Sequence, residues 1–171
     1  MIRPLSLMAT ALLLSACAST PSGPSASASL MATKGSTVTG SAQFTQKGGM
    51  VMVTGEVRGL APNTEHGFHV HDKGDCSSGD GLSAGGHFNP NGKAHGAHEA
   101  TEHHSGDLPS LKADASGTAR FSFESSTMTV GSGITDVTGR GLIVHRDPDD
   151  YKTQPTGNAG PRLACAVISK S

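Results

Sequence analysis

Tryptophan is absent from this chain of 171 residues, and so is any excess of charge: 13 Lys and Arg against 14 Asp and Glu leave a formal net charge of −1, with no basic stripe. A nucleic-acid partner is therefore not expected, since phosphate recognition needs a positive face. Helical periodicity is missing as well. No window sustains apolar residues at three- and four-residue spacing, and 23 glycines discourage long helices. The apolar run from Leu5 to Leu14 is too short to span a bilayer.

What is present begins with export. Arg3, that apolar run and Ser15-Ala16-Cys17 make the charged, apolar and small-residue regions of a secretory signal. The stretch Leu14-Ser15-Ala16-Cys17 also resembles the lipobox of bacterial lipoproteins. The resemblance implies a signal peptide at 1–16, a lipid on Cys17 and, with Ala18 following, a tether to the outer membrane on its periplasmic side. An ordinary signal peptide cut elsewhere is the alternative. Residues 17–34, mostly Ala, Ser, Thr, Pro and Gly after the cysteine, carry too little apolar surface to offset their ordering entropy. They read as a flexible tether, and residues 35–171 as one domain.

Three cysteines are an odd number for an exported protein until Cys17 is assigned to the lipid. Cys76 and Cys165 then pair in an oxidising compartment, closing a loop of nearly ninety residues. On the chain-entropy model such a bridge is worth roughly 4 to 5 kcal/mol. The other reading makes Cys76 a zinc thiolate.

Period-two patterning or β-branched content marks strands at Thr37–Phe44, Met50–Val57, Gly67–His71, Thr118–Phe123, Leu142–His145 and Ala164–Ile168. In the second, Val51, Val53 and Val57 share one face and Met52, Thr54 and Glu56 the other, as in a strand with one side buried. The class is all-β, a sandwich or barrel. Two long segments interrupt it, 72–107 and 146–161. Loops of that length inside a compact domain are either functional or disordered, and the first holds most of the histidines.

Nine histidines serve the chain. In His66-Gly67-Phe68-His69-Val70-His71, alternation along a strand lets His69 and His71 point at one ion. His87, His95, His98, His103, His104, Asp107 and His145 follow, at spacings that fit no helical zinc motif. Four imidazoles in a tetragonal arrangement suit copper, and three imidazoles with one carboxylate suit zinc.

The motifs Gly67-Phe68-His69-Val70-His71, Gly86-His87-Phe88-Asn89-Pro90, His104-Ser105-Gly106-Asp107, Val144-His145 and Gly157-Asn158-Ala159-Gly160-Pro161-Arg162-Leu163-Ala164-Cys165 resemble those of the copper/zinc superoxide dismutases, in order and spacing. The resemblance covers roughly residue 35 to the C-terminus. It implies an eight-stranded Greek-key β-barrel and conversion of superoxide to dioxygen and hydrogen peroxide. Copper would sit on His69, His71, His87 and His145, and zinc on His87, His95, His104 and Asp107. The same resemblance gives Asp149 the task of linking His69 to His95, His66 that of supporting backbone near copper, and Arg162 that of meeting the anion beside the copper. His87 and Arg162 are then the catalytic pair. His103 is spare and expected to face solvent, His98 is a polar loop residue, and Asp147 and Asp150 solvate a turn around Pro148.

This chain departs from many eukaryotic members in an insertion near Ser78-Gly79-Asp80-Gly81-Leu82 and in Pro155, which stands where a guiding lysine is common. Lys93 or Lys152 is the candidate replacement. A metal store on the same fold would have lost a copper ligand or the arginine, and both are present. An adhesive β-sandwich explains the fold and tether but not the histidines. Members of the family occur as monomers and as homodimers, and the sequence does not choose between them.

Overall fold

The computed structural model describes residues 23–171, so the expected signal peptide and the expected lipid site at Cys17 lie outside the described residues. Ten strands run through the described residues: β1 Ser25–Ala32, β2 Thr39–Lys47, β3 Met50–Arg58, β4 Glu65–His66, β5 Phe68–His71, β6 Leu111–Lys112, β7 Ala119–Ser125, β8 Gly141–His145, β9 Arg162–Val167 and β10 Ser169–Lys170. One sheet has the order β5-β8-β9-β1-β2-β3-β7, antiparallel throughout, with β10 on the first residues of β1. The short strand β4 leads into one edge strand, β5, and β6 leads towards the other, β7. Their pairing, Glu65 with Lys112 and His66 with Leu111, joins the two edges and curls the sheet into a Greek-key barrel.

All six segments read as strands from the sequence are strands, with ends moved by up to three residues. The tether needs correction. Residues 25–32 are not flexible linker but a strand between β9 and β2, so the domain starts near residue 24 rather than 35. Ala26, Ala28 and Leu30 point inward and are buried, while the serines between them face outward. The alternation is there in the sequence, written in alanine and serine, whose composition imitates a linker.

Alternation also decides what β5 and β8 do. Phe68, Val70, Leu142 and Val144 enter the barrel core with Leu30, Phe44 and Val53. Their neighbours His69, His71, Ile143 and His145 point out of the barrel yet are buried, because the two long segments lie over that face. Cys76 is bonded to Cys165 across 89 residues, which leaves no thiolate there for a metal. With Ala84 and Ile143 this bridge forms a second small apolar cluster that fastens the segment after β5 to the barrel wall.

A chain starting at residue 35 lacks the strand between β2 and β9 and is expected not to fold. In the full domain, Leu30→Ala should cost about 2–5 kcal/mol in denaturant unfolding, the range for emptying a buried leucine site. An unchanged unfolding midpoint would return this segment to the tether.

Candidate metal centre

The outward face of β5 is the floor of the site. Along its free edge, Val70 N–H donates to Gly106 O and Phe88 N–H to Val70 O, both at 2.9 Å. These bonds lay two stretches of the 72–107 segment beside β5, bringing His87 opposite His71 and Asp107 opposite His69. His145 arrives from the end of β8, where the register with β9 shifts and its N–H turns to Gly67 O at 2.8 Å. Two clusters result, His69, His71, His87 and His145 in one and His87, His95, His104 and Asp107 in the other. Within each, one ligand atom per residue lies within 4.8 Å of the others, and all seven residues are buried.

Hydrogen bonds set which ring nitrogen keeps its lone pair. Carbonyl and carboxylate oxygens only accept here, so a ring nitrogen facing one carries the proton. His71 Nδ1 donates to Gly85 O at 2.8 Å and His145 Nδ1 to Gly160 O at 3.0 Å, which leaves both Nε2 atoms bare. Those two atoms face each other at 3.4 Å, converging lone pairs that a cation would reconcile. Asp149 accepts from His69 Nε2 at 2.7 Å and from His95 Nε2 at 2.9 Å. That turns His69 Nδ1 and His95 Nδ1 inward.

Three buried ring nitrogens have no hydrogen-bond partner: His69 Nδ1, His87 Nε2 and His95 Nδ1. The last lies 3.0 Å from Asp107 Oδ1, but off the direction of a hydrogen bond. Orphaned buried nitrogens are costly, and imidazole is a preferred ligand of both copper and zinc. Each orphan belongs to a cluster, and His87, the shared member, has Nδ1 on the Asp107 side at 2.8 Å and Nε2 unpartnered. The residues present fit two metal ions sharing one ring.

Burial shapes the charge. It pushes His87 down to about 4 and His145 down to about 3, and it holds His71 well below the usual histidine value, so these rings are neutral with lone pairs free. At His95 burial opposes protonation, but Asp107 and Asp149 together outweigh it and raise the ring to about 9. Asp149 is itself held well below the carboxylate range: burial pushes upward, and the bonds from His69 and His95 prevail. Gly157 packs against this contact with φ +66, and a Cβ there would stand 1.8 Å from Asp149 Oδ1.

Above the first cluster opens a cavity of about 560 Å³, lined by His71, His87, His145 and Arg162 among others. The Arg162 guanidinium is anchored by Gly81 O and, at 2.6 Å, by Gly85 O, which leaves further N–H groups for the cavity. Its other charged walls are Lys34 and Asp80.

The sequence profile described as copper/zinc superoxide dismutase (SODC) matches residues 38–168. The chain belongs to the copper/zinc superoxide dismutase family. It is similar to superoxide dismutase [Cu-Zn] 2 of Aquifex aeolicus (strain VF5), 38% identical over 147 residues that cover 84% of this chain and 85% of that one. It also resembles the superoxide dismutase [Cu-Zn] of Paramecium bursaria Chlorella virus 1, 41% identical over 137 residues, or 77% and 72% of the two chains.

Not every residue of this superoxide dismutase domain that the sequence singled out stands where expected. His103 is buried, not solvent-facing: its Nδ1 donates to His104 O at 2.8 Å and its ring packs 5.6 Å from His98. It belongs to neither cluster. His98 spans Asp107 O and Glu124 O, and His66 Nδ1 donates to His145 O at 2.9 Å. Asp147 pairs with Arg146, and Asp150 caps the turn at Lys152 and Thr153. Lys93 is drawn to Glu102 at 3.6 Å and Thr101 O at 3.1 Å, and neither it nor Lys152 lines the cavity. Lys34 does, and it was missed because it fell in the stretch taken for tether.

Because metal-free His95 holds a proton up to about pH 9, zinc has to displace it. Zinc affinity of the metal-free protein should therefore rise by about tenfold per pH unit through neutrality and level off above about pH 9. Calorimetry in buffers of different ionisation enthalpy should show the proton released at pH 7. A flat affinity between pH 6 and 8 would contradict the assignment.

Proposed function

We propose that this chain converts two superoxide anions and two protons into dioxygen and hydrogen peroxide. In this reading His69, His71, His87 and His145 would hold copper, and His87, His95, His104 and Asp107 would hold zinc. The observation that carries it is the position of His87, common to both clusters with one nitrogen towards each. Bound copper would supply a one-electron redox couple, and zinc a positive charge with no redox chemistry of its own.

The chain's own residues supply the rest. His87 Nε2, without a protein partner, is the atom that could take up a proton and pass it to the departing peroxide once Nδ1 has exchanged its own proton for a metal. Asp107, on the Nδ1 side of the ring, would keep it from swinging away while it does so. Arg162, fixed by two carbonyls, offers its remaining N–H groups to the anion at the cavity floor. Lys34 adds attraction at the mouth and Asp80 subtracts from it. Superoxide dismutase is itself a standard example of such steering.

Export is part of the same proposal. The Cys76–Cys165 bond supports an oxidising compartment, and the N-terminal run supports secretion, with Cys17 as lipid anchor on the periplasmic side of the outer membrane. With β1 in the barrel, residues 25–32 do not belong to any tether.

In the copper- and zinc-loaded enzyme, Arg162→Ala should lower kcat/KM by about 10- to 100-fold, the scale of a lost charge-assisted contact. Lys34→Ala should cost about two- to threefold at low ionic strength and nothing at high salt, where screening removes the difference. Lys93→Ala should leave the rate unchanged. Full occupancy by both metals without dismutation would overturn the function.

A further inference from the structure

Six of the seven candidate ligands are held in a strand, a β-bridge or a turn by main-chain bonds. His95 is the exception: among the described residues its stretch forms no strand, and neither its N–H nor its C=O makes a main-chain to main-chain bond. Both go instead to one side chain. His95 N–H donates to Gln154 Oε1 at 2.9 Å, and Gln154 Nε2 donates to His95 O at 2.9 Å. The primary amide thus stands in for a paired strand. Asn and Gln alone offer a donor and a neutral acceptor side by side in this way.

Gln154 and Asp149 come from the same loop and divide the work on His95. Asp149 fixes the tilt of the ring through Nε2, and Gln154 fixes where the backbone stands, hence how deep Nδ1 reaches towards Asp107. Their reach differs. Asp149 also holds His69 in the other cluster, whereas Gln154 bonds no other candidate ligand. Gln154 is exposed and contributes nothing to the core.

We propose that Gln154 is a positioning residue for His95, and that it sets zinc affinity without setting copper affinity. This rests on the assignment of His95 to zinc. Sequence reasoning had no signal for it, because a lone glutamine in a polar loop resembles any solvated residue.

The test uses full-length protein stripped of metal, with zinc affinity from chelator competition, copper affinity at the other cluster, and the visible spectrum of cobalt(II) placed in the zinc site. Gln154→Ala should weaken zinc by about 10- to 100-fold, the usual cost of losing a residue that orients a ligand, with copper affinity within about threefold and an altered cobalt spectrum. Gln154→Glu keeps the acceptor for His95 N–H but sets a carboxylate against His95 O, so it should recover only part of the loss. Unfolding midpoints of the metal-free variants should match the parent. Unchanged zinc affinity in Gln154→Ala, or an equal loss at both sites, overturns the proposal. His95→Ala separates the two failures. If it too leaves zinc binding intact, the zinc assignment is wrong, and if it alone abolishes binding, Gln154 is only a surface contact.

Discussion

Asp149 accepts one hydrogen bond from a histidine on a strand and another from a histidine on a loop, and the geometry of both clusters follows from that shared carboxylate. By engaging the Nε2 atoms of His69 and His95 it aims both Nδ1 atoms inward. Gly85 O and Gly160 O do the same for His71 and His145 with the opposite nitrogen. The first cluster is therefore a set of lone pairs pointed at one centre, while in the second His95 and His87 Nδ1 keep protons beside Asp107 that a cation displaces. The cost is visible in the orphaned nitrogens and in two bare Nε2 atoms only 3.4 Å apart. A packed protein carries such groups where a ligand relieves them.

The barrel makes this possible by giving β5 and β8 two buried faces. Phe68, Val70, Leu142 and Val144 anchor the strands in the core, so the histidines between them sit on a wall that cannot shift without opening the barrel. Everything less rigid is fastened to that wall from outside. The Cys76–Cys165 bond pins the near end of the 72–107 segment, Arg162 grips the carbonyls of Gly81 and Gly85 in it, and Gln154 holds His95. Rigid placement of this kind is what electron transfer at a fixed metal requires.

Much of this was legible in the residues and some was not, for physical reasons. Valine alternation marked β3, and paired histidines on β5 stood out because two imidazoles two residues apart are rarely needed for packing. β1 was missed because Ser-Ala-Ser-Ala carries strand periodicity with almost no hydrophobic contrast, and its burial comes from neighbours far along the chain. That error hid Lys34, which reaches the cavity only because β1 lies beside β9. Around His103 the local sequence gives no sign of the bond its ring makes to the carbonyl of His104.

One imidazole, His87, is expected to serve two different ions. Diffraction from the copper- and zinc-loaded protein, with anomalous data at the absorption edge of each metal, tests it most directly. Two peaks are expected on opposite sides of the His87 ring, copper at Nε2 and zinc at Nδ1. A single ion, or two ions that do not share His87, would contradict it.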